Sequence, residues 1–195
     1  MKLIYIDTET TGLDPRLHAL TEIACIVVVN GQEIDKKLLY INPSSYKKMM
    51  TIDPQALEFR NVTLEEVEAY PSSKDQFEDF ISFLDQYVDK YDKEDKFQIV
   101  GYNIGFDIGF LKEWFADNDH KYYGSYFSHK DIDVFALVKH LKLLYMLDTP
   151  NDKLETLCKH FGIEIDAHNA LSDIEATRSL YKALVSKHFK EKSEI

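Results

Sequence analysis

The stretch from Glu22 to Val29, followed at once by Asn30-Gly31, constrains this chain more than any other. After Glu22 come seven apolar residues in succession, five of them β-branched. Such a run has no polar face to turn to water, so a strand over 22–29 must be covered on both sides. Asn-Gly is a strong hairpin signal, because both turn positions need positive φ. Residues 32–41 are therefore expected to return as an antiparallel strand. A second short apolar run, from Leu3 to Ile6 and ended by Asp7, predicts a first strand over 2–7.

Beyond this meander the pattern changes to strands alternating with helices. Asp53-Pro54 begins a short helix, with proline at a favoured first-turn position. Phe77, Phe80, Ile81, Leu84 and Val88 follow Ser72/Ser73 at helical spacing and predict a helix over 74–90. A strand over 97–102, a helix over 106–115, a short strand near 131–133 and a helix to about Leu144 follow. A helix over 153–161 should end at Gly162, and a last helix should cover 170–188. The expected fold is α/β, a mixed five-stranded sheet whose first three strands are antiparallel, flanked by helices. With 195 residues and no repeat or linker, one domain over 1–190 is expected, with 191–195 as a flexible tail.

Hydrophobic residues at 45% and aromatic residues at 13% supply an ample core. No apolar run approaches the roughly 18 residues needed to cross a membrane, and the N-terminus lacks a signal-peptide pattern. The two cysteines, Cys25 and Cys158, lie among apolar neighbours and form no CxxC pair, as free thiols in a reducing cytoplasm would. The net charge of −11 argues against tight binding of long duplex nucleic acid. Yet residues 64–97 hold eleven acids and four lysines, a net of −7, and four further acids belong to the motifs below. The rest of the chain is about neutral, so a phosphate backbone can still be held at a cation-loaded site.

Three motifs carry chemistry. In Asp7-Thr8-Glu9-Thr10-Thr11-Gly12, strand residues two apart share a face, so Leu3, Tyr5, Asp7 and Glu9 line one side. Two carboxylates at that spacing can reach one hard cation, although acids at strand ends also simply meet water. In Asn103-Ile104-Gly105-Phe106-Asp107, Asp107 sits in a first helical turn, where the dipole alone would favour it. However, Asp107, Phe110, Leu111 and Trp114 share an inward stripe. In His168-Asn169-Ala170-Leu171-Ser172-Asp173, Asp173 shares such a stripe with Ala170, Thr177, Leu180 and Leu184. His168, just before that helix, has a side chain suited to general-base work near neutral pH. Zinc-ligand spacing, a Gly-rich phosphate loop and a serine nucleophile elbow are all missing.

Taken in order, Asp7-x-Glu9, Asn103-x-x-x-Asp107 and His168-x-x-x-x-Asp173 resemble the motifs of the DnaQ-like exonucleases of the DEDDh group, within the ribonuclease H-like superfamily. Ile52-Asp53-Pro54-Gln55-Ala56, Asp133 and the segment from Lys153 to Cys158 agree with it. The resemblance implies a 3′–5′ exonuclease that releases nucleoside 5′-monophosphates from single-stranded ends. Asp7, Glu9, Asp107 and Asp173 would hold two divalent cations, Mg²⁺ or Mn²⁺, with His168 as general base. It also implies that Thr8, Thr10, Thr11, Gly12 and Leu13 touch the terminal nucleotide, with Asn103 and Phe106 beside it. The first motif is closer to proofreading-type members than to oligoribonucleases, so DNA is the favoured substrate, and a polymerase or a second copy of the chain is a partner to consider. A non-catalytic binding module on the same fold and an enzyme for short RNA are the competing readings.

Overall fold

The computed structural model describes residues 1–166 and 169–189. Its sheet is built from β1 (Lys2–Thr10), β2 (Leu20–Val29), β3 (Gln32–Tyr40), β4 (Gln98–Gly101) and β5 (Ile132–Asp133). The strand order is β3-β2-β1-β4-β5. β1 and β3 pair antiparallel with β2, whereas β4 pairs parallel with β1, and β5 with β4. Asn30 and Gly31 take φ of 51° and 84°, the hairpin geometry their residue types favour. The helices are α1 (Pro54–Phe59), α2 (Leu64–Glu68), α3 (Ser73–Leu84), α4 (Gly105–Asp117), α5 (Tyr123–Tyr126), α6 (Val134–Leu143), α7 (Leu154–Phe161) and α8 (Ala170–His188).

The central strands divide the core in two. Ile4 and Ile6 of β1 pack with Phe77, Phe80, Phe110 and Trp114 from α3 and α4 on one face. Leu3 and Tyr5 pack with Val138, Leu157, Ile174 and Leu180 from α6, α7 and α8 on the other. The period of two along β1 therefore places Asp7 and Glu9 on the α8 side, and β2 is covered on both faces as its apolar run requires. On the α3–α4 side, Trp114 is wholly enclosed. Its ring meets Phe77 edge-on at 5.1 Å, and its indole N–H donates to Ser73 Oγ at 2.8 Å. That bond satisfies a donor whose burial would otherwise be costly.

Some expected boundaries move. β1 runs on to Thr10, so the whole acidic motif up to Thr10 lies on the strand. The helix expected over 74–90 ends at Leu84. Val88 is buried through a following turn, so its apolar character continued the spacing without continuing the helix. The short helices α2 and α5 were not anticipated. α2 is fixed by a capping box between Thr63 and Glu66, a signal present in the sequence. Both cysteines are buried and free. Among the described residues, no helix is long and apolar enough to cross a membrane.

Candidate active site

Asp7 and Glu9 stand at the C-terminal end of β1, and Asp173 stands in the first turn of α8. The α8 side chains Ala170, Thr177, Leu180 and Leu184 are buried, so their stripe turns Asp173 toward the strand. Asn169 caps this helix by accepting the Ser172 N–H at 3.0 Å, which fixes the turn that carries the acid. As a result Asp7, Glu9 and Asp173 each offer an oxygen within 4.8 Å of the others. Asp107 approaches from α4, on the opposite side of the sheet. Only 4% exposed, it accepts a hydrogen bond from the Thr8 hydroxyl at 2.7 Å. Thr8 lies between Asp7 and Glu9 on the strand, so this bond ties the α4 carboxylate to the end of β1.

The electrostatics follow from that crowding. Burial, then the charges of Asp107, Asp173 and Glu9, push Asp7 well above the ordinary carboxylate range. Burial lifts Glu9 to about 8 against the pull of Arg60, with Glu22, Asp173 and Asp107 adding to the rise. Asp107 is lifted to about 7, chiefly by burial, although hydrogen bonds from Thr8 oppose the shift. Carboxylates this close resist simultaneous ionisation unless a cation joins them. An all-oxygen, half-buried donor set of this kind fits a hard divalent cation, so the residues present suit the metal chemistry expected of them.

The remaining expected residues separate. Thr8, Thr10, Gly12, Leu13 and Phe106 line a groove of about 430 Å³ together with Glu9, Ala56, Phe59 and Arg60. Leu13 is 83% exposed at its rim. Thr11, expected at the terminal nucleotide, is wholly buried. Its hydroxyl donates to the Thr51 carbonyl and accepts the Ala19 N–H, so it anchors the loop and does not line that groove. Asn103 lies in a neighbouring groove with Tyr102, Phe135, Lys153 and Asp173, which shares Phe59 with the first. The Asn103 N–H donates to Asp133 Oδ1, which also caps α6 through Phe135 N–H. His168 lies outside the described residues.

Sequence reasoning missed Arg60 and Glu22. Arg60 reaches Glu9 Oε2 with Nε at 3.1 Å and Glu22 Oε2 with Nη2 at 2.9 Å, its side chain only 4% exposed. Glu22 opens the apolar run of β2 and carries no motif, so nothing local in the sequence marks it.

Sheet order, helix placement and a carboxylate cluster at the end of the central strand define a ribonuclease H-like α/β fold. The chain belongs to the RNase_T exonuclease family, whose model matches residues 4–181. Its relatives include the PolC-type DNA polymerase III of Oceanobacillus iheyensis, 28% identical over 185 residues. That of Lacticaseibacillus paracasei is 30% identical over 184 residues. The matches cover 94% and 93% of this chain, but only 11% of each polymerase. Among solved structures, E. coli exonuclease I in complex with a dT13 oligonucleotide superposes with a TM-score of 0.79 at 23% identity. The match covers 95% of this chain and 41% of exonuclease I, and establishes the shared fold.

Proposed function

We propose that this chain is a 3′–5′ exonuclease that removes nucleoside 5′-monophosphates from single-stranded ends, with DNA favoured. The observation that carries this reading is the convergence of Asp7, Glu9 and Asp173 within 4.8 Å, with Asp107 tied alongside by Thr8. Asp7, Glu9, Asp107 and Asp173 would hold two divalent cations, Mg²⁺ or Mn²⁺. When bound, such ions neutralise charge on the scissile phosphate and stabilise the attacking and leaving oxygens.

The protein's own groups do the rest. The Glu9 groove receives the terminal nucleoside, with the exposed Leu13 and the ring of Phe106 offering apolar surface to a base. Seating the base there fixes which phosphodiester lies over the carboxylates, and positioning of this kind removes much of the entropic barrier. His168 takes the proton from the attacking water as general base. Similarity to PolC-type DNA polymerase III favours DNA as substrate and a proofreading-type reading of this site, and makes a polymerase or a second copy of the chain the partner to test.

The test uses oligonucleotides of matched DNA and RNA sequence and several lengths, labelled at the 3′ or the 5′ end, with Mg²⁺ or Mn²⁺. Stepwise shortening from the 3′ end, absent in Asp7→Ala, is expected. Tight binding with no shortening in either metal would instead favour a binding module. A rate that falls as RNA lengthens would favour a short-RNA enzyme.

A further inference from the structure

Glu9 and Glu22 are directly opposite each other in the antiparallel β1–β2 ladder. Opposed residues share a face, so two carboxylates meet where like charges destabilise a sheet. One cation resolves the conflict. Arg60, the residue that closes α1, inserts its guanidinium between them. Nε lies 3.1 Å from Glu9 Oε2, Nη2 donates to Glu22 Oε2 at 2.9 Å, and Nη1 donates to the Thr21 hydroxyl at 2.6 Å. Thr21 sits where the ladder shifts register, and its hydroxyl donates to the Glu9 carbonyl. The guanidinium is therefore fixed to the backbone of the residue whose side chain it holds.

We propose that Arg60 is a positioning residue that orients the Glu9 carboxylate for metal binding, and that Glu22 keeps Arg60 from neutralising it. This rests on the metal-site reading above. The planar guanidinium is held in place by its bonds to Glu22 and Thr21 and meets Glu9 as an ion pair through Nε, so it fixes where the Glu9 carboxylate sits, which a mobile ammonium cannot do. Because the one positive charge is divided between two carboxylates, the pair retains a net negative charge, and Glu9 still presents an oxygen alongside those of Asp7 and Asp173 for a shared cation. Both halves of the arrangement are needed. Without the fork Glu9 loses its orientation, and without Glu22 the whole cation falls to Glu9.

The experiment is calorimetric titration of the full chain with Mn²⁺ alone, in the absence of nucleic acid, on the wild type, Arg60→Lys and Glu22→Gln. Circular dichroism and thermal melting are recorded in parallel. Groups that orient metal ligands typically change metal affinity about 10–100-fold, and a loss of that size is expected in both variants. Raising Mn²⁺ should restore much of the lost cleavage rate. Glu22→Gln is nearly isosteric and keeps Arg60 in place, which guards against a result that reflects folding alone. A merely structural role would lower the melting temperature and leave Mn²⁺ affinity within about twofold of wild type. That outcome overturns the proposal, as does failure of both variants to fold. A wild type that takes up no Mn²⁺ removes the metal-site reading and the Arg60 proposal together, whereas equal binding by all three chains removes only the latter.

Discussion

Thr8 spends its hydroxyl on Asp107, and that single bond connects α4 to the end of the central strand β1. Thr8→Val keeps the shape of the side chain and deletes the donor. Hydrogen bonds to charged groups contribute about 1.5–3 kcal/mol, so Asp107 should lose much of its fixed orientation. Mn²⁺ affinity should fall about tenfold or more by calorimetry, with the circular dichroism spectrum unchanged. Asp7→Ala, Asp107→Ala and Asp173→Ala should each abolish cleavage. His168→Ala should lower its rate on the order of 10²–10⁴-fold under single-turnover conditions, and an unchanged rate would remove the histidine from the mechanism. Gly12 has a steric reason to be glycine. A Cβ there would come within 2.3 Å of the His18 ring, so Gly12→Ala should disturb the loop carrying Leu13. The acids were legible from sequence because each lay on an otherwise apolar face, a local signal. Arg60 and Glu22 were not, because their partnership spans 38 residues and depends on strand register.

At the scale of elements, α8 matters most because its first turn holds Asp173. Asn169 supplies the cap, and Asn169→Ala should cost about 0.5–2 kcal/mol of stability, read from the urea midpoint. Fraying of that turn should also weaken Mn²⁺ binding, whereas a cap substitution in α3, such as Ser72→Ala, should destabilise the fold with metal affinity unchanged. Equal effects on metal from both caps would contradict the special position of α8. The hairpin, the two-faced β2 and the long helices were readable because period and turn chemistry are local. The overrun of α3 to residue 90 shows the limit. Val88 meets the same core from a turn, and burial without helical backbone leaves the same apolar mark. Strand order β3-β2-β1-β4-β5 depends on long-range pairing, and periodicity does not encode it.

For the molecule as a whole, the clustered acids tie stability to pH. Asp7, Glu9 and Asp107 all titrate higher in the fold than in an unfolded chain. Between the ordinary carboxylate range near pH 4 and about pH 8, the folded chain binds more protons than the unfolded one. Without metal, stability should therefore fall as pH rises through this window. Acids held low by cationic partners, such as the half-buried Asp95 beside Lys2 and the exposed Asp119 beside Lys47, act below it. Urea midpoints in a chelator should drop between about pH 5 and about pH 8, and Mn²⁺ should raise them most at the alkaline end. A midpoint that climbs across this range in chelator would contradict the crowding of the site.

The most direct measurement is anomalous scattering from crystals of the wild-type chain soaked in Mn²⁺. Manganese peaks bounded by Asp7, Glu9, Asp107 and Asp173, and missing from Asp7→Ala crystals, are expected. Well-ordered crystals with those four carboxylates in place and no manganese among them would contradict a metal-dependent exonuclease.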